Sequence, residues 1–202
     1  MEVRMMRKSF YLLVSILIAL VGVALLTRPP AQAATAKVGC QPQNLTVRTG
    51  QTFYVTLAVT DTQNLYAWQF NTKFNKQYLE FIAVFPGDQL RVDGARHFLV
   101  APVLVSGSTT SEAQNAAATR LSKDSGVNGN GALAHVLFRA LKQKTDGTTI
   151  DLNTILLLDH NALEIQKDYV SGADCKVIIR DNAPLFVQAP VGELVFLPAI
   201  IR

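Results

Sequence analysis

The sequence predicts an all-β domain, a two-sheet antiparallel sandwich of about eight or nine short strands. Three observations carry this. Apolar residues alternate with polar ones in stretch after stretch, the pattern of a half-buried strand whose side chains point to opposite faces in turn. Gly, Pro, Asn and Asp punctuate those stretches at short intervals. No long segment shows the 3.6-residue period of an amphipathic helix.

The first element is not part of that domain. Arg4, Arg7 and Lys8 precede an uncharged run from Phe10 to Leu26, and small residues follow. Charge, apolar run and small residues in that order form a secretory signal, with a cut expected after Ala33 in Ala-Gln-Ala. The 17-residue run is at the short end of what spans a bilayer, so a retained anchor is the alternative. Either way the domain is expected outside the cell, secreted or held at the cell surface. Residues 1–33 contain four basic residues and one acid, which leaves 15 of the 19 basic and 14 of the 15 acidic residues. A net charge of about +1 gives no reason to expect a nucleic-acid partner. Cys40 and Cys175 are the two cysteines of the chain. Outside the cytosol they are expected to form a disulfide that ties the first strand to the last.

The domain proper is expected over residues 38–181. In TFYVTLAVT, Phe53, Val55, Leu57 and Val59 share one face. In LYAWQFNTKF, Tyr66, Trp68, Phe70, Thr72 and Phe74 point one way and Ala67, Gln69, Asn71 and Lys73 the other. The large aromatics are core candidates. Leu79 to Phe85 is a strand closed by Pro86-Gly87. His97 to Val105 is extended, and Pro102 inside it marks an edge strand or a bulge. Residues 114–121 are read as a strand from their neighbours, and 122–131 as an exposed loop ending in Asn-Gly-Asn-Gly. ALAHVLFRAL alternates again, Asp146-Gly147 is expected to turn, and Ile150 to Leu158 supplies one or two strands. Asp159-His160-Asn161 turns, and CKVII closes the domain. Residues 182–202 form an apolar, proline-containing tail or a last strand.

Chemistry is hard to find. His97, His135 and His160 are scattered, without metal-ligand spacing. Asp159, Asn161 and Glu164 lack the full calcium-loop pattern and are read as a turn. Ser106-Gly107-Ser108 is turn composition, not a nucleophile elbow, and the Asn-Gly repeat is not a phosphate loop. The expectation is therefore no enzyme, no cofactor and no metal.

Residues 47–90, 119–141 and, more loosely, 149–165 resemble a cohesin domain. The resemblance is carried by Gly50, Leu65-Tyr66, Phe70, Phe74, Leu79 and Gly87, then by Gly126, Gly129, Gly131 and Phe138. It implies a jelly-roll-like sandwich that binds dockerin modules, in assemblies that degrade polysaccharide, through one exposed sheet face. The outward positions of the third strand belong to that face, so Gln69, Asn71 and Lys73 are the expected partner-binding residues. Ala67 stands where the family often carries a polar contact, and Asn75 where it often has Asp. Both bear on recognition rather than on fold. The expected partner is a dockerin-like or other secreted protein, with calcium belonging to the dockerin. Two other functions remain in view. A carbohydrate-binding module would need a planar row of exposed aromatics from Tyr54, Tyr66, Tyr78 and Trp68. A structural envelope domain would need only packing.

Overall fold

A computed structural model describes residues 35–121, 124–169 and 174–185. The expected signal segment, 1–33, and most of the expected tail, 186–202, lie outside the described residues. The described ones belong to the compact unit Ala34–Arg202. They form eleven strands: β1 Ala36–Gln41, β2 Asn44–Val47, β3 Thr52–Asn75, β4 Leu79–Pro86, β5 Arg96–Val100, β6 Val103–Ser106, β7 Thr110–Leu121, β8 Val127–Ala140, β9 Lys144–Asp159, β10 Lys167–Tyr169 and β11 Cys175–Ile179. A 3-10 turn, Gln89–Arg91, lies between β4 and β5. The all-β class is as expected, with more strands than the sequence suggested because short edge segments count separately.

Strand β3 organises both sheets. Its first half pairs with β8 on one side and β1 on the other. Beyond them β4 pairs with β8, and β10 runs parallel to β1. Its second half pairs with β7 and β9. Strands β5 and β6 add to the far side of β7, and β11 and β2 continue from the first part of β9. The two strands read from TFYVTLAVT and LYAWQFNTKF are thus one chain that turns a corner. Asp61 and Asn64 make that corner, each at φ 57°, a left-handed conformation that Asn and Asp tolerate better than other residues.

The Asn-Gly repeat latches the corner: Asn128, Gly129 and Asn130 are exposed, as expected, but stand in a strand rather than a loop. Residues 127–131 belong to β8. The Asn130 and Asn128 side-chain oxygens accept the Asp61 and Asn64 backbone N–H groups at 2.8 and 2.7 Å. The Thr62 hydroxyl donates to the Gly129 carbonyl at 2.7 Å. Polar residues here satisfy backbone groups that the bulged ladder leaves over. Asp146-Gly147 is likewise not a turn. It lies inside β9, and Gly147 at φ 91° takes up a register shift against β11.

Most of the expected inward residues form the core, but Tyr66 does not: a register shift between Leu65 and Ala67 buries Leu65 and leaves Tyr66 half-buried. Phe53, Phe74, Phe81 and Phe138 meet between the sheets, with Phe74 and Phe138 edge-to-face at 5.2 Å. Trp68 and Phe70 lie beside each other at 5.3 Å, and Trp68 is 2% exposed. Gly50 makes its turn at φ 83°. Gly87 follows the end of β4, as expected, and its lack of a side chain serves close approach: a Cβ there would lie 2.1 Å from the Ala132 carbonyl oxygen. Cys40 and Cys175 are bonded, with Cα atoms 5.4 Å apart, and the bond joins β1 of one sheet to β11 of the other.

Among the described residues one buried side chain is charged. Arg120 on β7 is 1% exposed. It donates to the Leu90 carbonyl at 2.7 Å and pairs with Asp93 at 2.6 Å. The pair pins the β4–β5 connection over the end of the sandwich, although the Arg120 Nε has no partner among the described residues.

Candidate functional site

The outward face of the second sheet can be laid out from strand registers, because opposed residues of neighbouring strands point the same way. One row runs Leu158, Ala67, Thr119, Phe98 across β9, β3, β7 and β5. The next runs Leu156, Gln69, Ala117, Val100. Lower down come Asn153 beside Asn71, then Asp151, Lys73, Glu112, Val105. The expected residues Gln69, Asn71 and Lys73 therefore share one face, along β3 between β9 and β7.

The top of this face is apolar. Phe98 is 57% and Val100 44% exposed. With Ala67, Ala117, Leu156 and Leu158 they line a shallow hollow of about 150 Å³. Exposed apolar side chains around a concavity are unusual on a lone domain and typical of a contact surface.

The middle is a linked set of amides. On both sides of Asn71 the neighbouring strand carries an extra residue. The β3–β7 register shifts between Phe70 and Thr72, and the β3–β9 register between Gln69 and Asn71. Asn115 and Thr154 occupy these bulges at φ 62° and 50°. The Asn71 side-chain oxygen accepts the Asn115 N–H at 2.8 Å, and the Gln69 amide donates to the Asn115 side chain at 3.2 Å. Asn71 therefore has a structural duty. It holds the bulge that aims Asn115 outward. Among the described residues, the Gln69 carbonyl oxygen and the Asn71 amide nitrogen have no hydrogen-bond partner and remain for a ligand.

The bottom is acidic around one lysine. Lys73 lies between Asp151 and Glu112. Burial, then the charge of Asp174, push the Asp151 carboxyl above its ordinary range, and Lys73 pulls the other way.

Other sequence candidates lie elsewhere. His135 is on the outer face of the other sheet, hydrogen-bonded to the Thr56 hydroxyl at 2.8 Å, and burial holds its pKa down. Asp159 is occupied by its own turn, accepting from the Asn161 and Leu163 backbone N–H groups at 2.8 and 2.9 Å. Among the described residues no three metal-ligating side chains converge, and no helix is long and apolar enough to cross a membrane. Trp68 is buried, and Tyr54, Tyr66 and Tyr78 are each partly covered. Phe98 is the large aromatic exposed on the face, so a planar aromatic row for sugar stacking is missing among the described residues. Sequence reasoning missed Phe98, Val100, Asn115, Leu156 and Leu158.

A β-sandwich whose exposed sheet carries an apolar hollow beside unpaired amides has the make-up of a binding surface. The cohesin domain family model matches residues 39–177, and the chain belongs to that family, whose members bind dockerins. Solved structures agree in fold. A cohesin in a type I cohesin–dockerin complex from Clostridium thermocellum has a TM-score of 0.55 at 13% identity, covering 73% of this chain and 100% of that one. The cohesin CaCohA2 from Clostridium acetobutylicum gives 0.54 at 15%, covering 75% and 95%. A non-cellulosomal cohesin from the archaeon Archaeoglobus fulgidus gives 0.50 at 14%, covering 72% and 90%. No curated protein matches the chain.

Proposed function

We propose that this chain is a non-catalytic, extracellular docking module that holds a dockerin-bearing protein on the outward face of the β9–β3–β7–β5 sheet. The observation that carries the reading is the apolar hollow between Leu156, Leu158, Phe98 and Val100, placed directly beside the free ends of Gln69 and Asn71. A stable interface needs a desolvated apolar centre with polar groups that fix register around it. This face offers both. Gln69 contacts the partner, Asn71 positions Asn115 beside it, and Lys73 with Asp151 and Glu112 forms the polar rim. Ala67 contributes shape and no hydrogen bond. That Ala places recognition on the apolar hollow more heavily than on polar contacts.

The test is capture from the exported proteins of the host, with mass-spectrometric identification of what is held. The expected partner carries paired calcium loops and is released by a chelator. Leu156→Glu and Gln69→Ala are expected to abolish or weaken its capture. Unchanged capture by Leu156→Glu would refute the placement, and a captured partner without calcium loops would refute the dockerin assignment.

A further inference from the structure

The β4–β5 connection forms a second concavity at the upper end of the same face. It is an open depression of about 730 Å³, lined by Asp88, Arg91, Gly94, Arg96 and His97 among others. Its position follows from the register. Arg96, Phe98 and Val100 alternate outward along β5, so Arg96 continues the row that begins in the apolar hollow.

Charge in this depression is unevenly committed. Asp93 is neutralised by Arg120, and the Asp88 carboxylate accepts the Ala132 N–H at 3.1 Å. Arg91 and Arg96 are exposed, and neither side chain has a hydrogen bond or ion pair among the described residues. Burial, and secondarily the Arg91 charge, keep the His97 imidazole below its ordinary pKa, so the positive charge at neutral pH is that of the two guanidinium groups. The opposite end of the face, about 27 Å away by strand rise, carries Asp151 and Glu112 around Lys73. The face is thus basic at one end, apolar in the middle and acidic at the other.

We propose that the Arg91–Arg96 concavity is a carboxylate-binding subsite that takes an acidic segment of the docked protein and fixes which way round that protein lies. This rests on the docking reading above. A partner whose apolar surface ends in Asp or Glu gains paired guanidinium–carboxylate contacts in one orientation. Turned end for end, it places those acids against Asp151 and Glu112, where like charges repel. Guanidinium forks match a carboxylate in two-point geometry, which favours this chemistry over a single diffuse charge.

The test uses the full-length protein and a hexaglutamate peptide, so it runs without the dockerin-bearing partner, and either reading can fail alone. In a ¹⁵N NMR titration at about 20 mM salt, the Arg91, Arg96 and His97 amides are expected to shift saturably. Both arginines are exposed, so reversal leaves the fold intact. The Arg91→Glu/Arg96→Glu variant is expected to bind at least about tenfold more weakly, since each reversal turns an attraction into a repulsion. Arg139→Glu on the other sheet is expected to bind as the parent does. Equal affinity of the double variant and the parent would overturn the proposal. So would tighter binding of inorganic phosphate than of hexaglutamate at the same amides.

Discussion

Replacing Asp93 by Asn removes the counter-charge of a guanidinium that is closed off from bulk solvent. The Arg120 side chain is 0% exposed and that of Asp93 is 41% exposed. Leaving a buried charge unpaired costs about 3–5 kcal/mol. Solvent already screens the Asp93 side, so about 2 kcal/mol is the expected loss. The bond from Arg120 to the Leu90 carbonyl survives the change. Arg120→Met should behave differently. It removes the ion, its unpartnered Nε and its desolvation together, and a linear apolar chain fills the same space. Its expected cost is within about 1 kcal/mol, and the double variant should match it. Urea unfolding of each variant reads these differences as shifts in midpoint at constant slope. The single tryptophan, Trp68, is buried in the core and reports the transition by fluorescence. The reasoning fails if Asp93→Asn costs less than about 0.5 kcal/mol, or if Arg120→Met is the more damaging of the two.

Further outcomes follow from the same geometry. The Cys40–Cys175 bond closes a loop of 135 residues in sequence separation. Chain entropy puts its contribution near 5 kcal/mol, so the double Ser variant should lose about 3–5 kcal/mol in chemical unfolding, and a loss below about 1 kcal/mol would contradict this account. Gly87→Ala drives a Cβ toward the Ala132 carbonyl at 2.1 Å and should destabilise by about 1–3 kcal/mol, checked by thermal unfolding. The Asp151 pKa is raised in the folded state, chiefly by burial. Its contribution to stability is therefore full at pH values below the unfolded carboxyl pKa and is lost as pH rises through the folded value. Asp151→Asn should gain on the parent as pH rises from below the ordinary carboxyl pKa of about 3.9 through the raised folded value in an unfolding series, and a flat difference would rule out the shift.

Period-two alternation made the inward set of β3 and the later part of β8 legible, because one face of each is dry and the other is wet. It failed wherever the period broke. Asn115 inserts an extra residue into β7, so burial falls on Ser111 and Ala113 above it and on Ala116 and Ala118 below. Nothing in a lone Asn distinguishes that bulge from a surface position. The ILLL run of β9 is apolar on both sides, Ile155 and Leu157 inward and Leu156 and Leu158 outward. A continuous apolar run has no parity, so half of the hollow was hidden in it. The surplus leucine was the available signal. Arg120 pointed inward without a sequence cue, since its partners come from a connection some thirty residues earlier. Asp146-Gly147 and Asn128 to Gly131 look like turns because the same left-handed conformations serve turns and bulges alike. By contrast, Gln69, Asn71 and Lys73 could be placed on one face because their strand keeps strict alternation through that stretch.

The sulfur bridge also decides how the protein carries load. Tension applied from either side of the domain enters at Cys40, crosses to Cys175 and leaves again, so the sandwich between them is off the force path. Roughly 450 Å of contour, at about 3.3 Å per residue, stays locked while the bond is oxidised. The docking face is thereby spared deformation by tension between the chain ends, though not by load borne through the partner itself. Chemical reduction would turn the same domain into an extensible tether whose strands share the load in series.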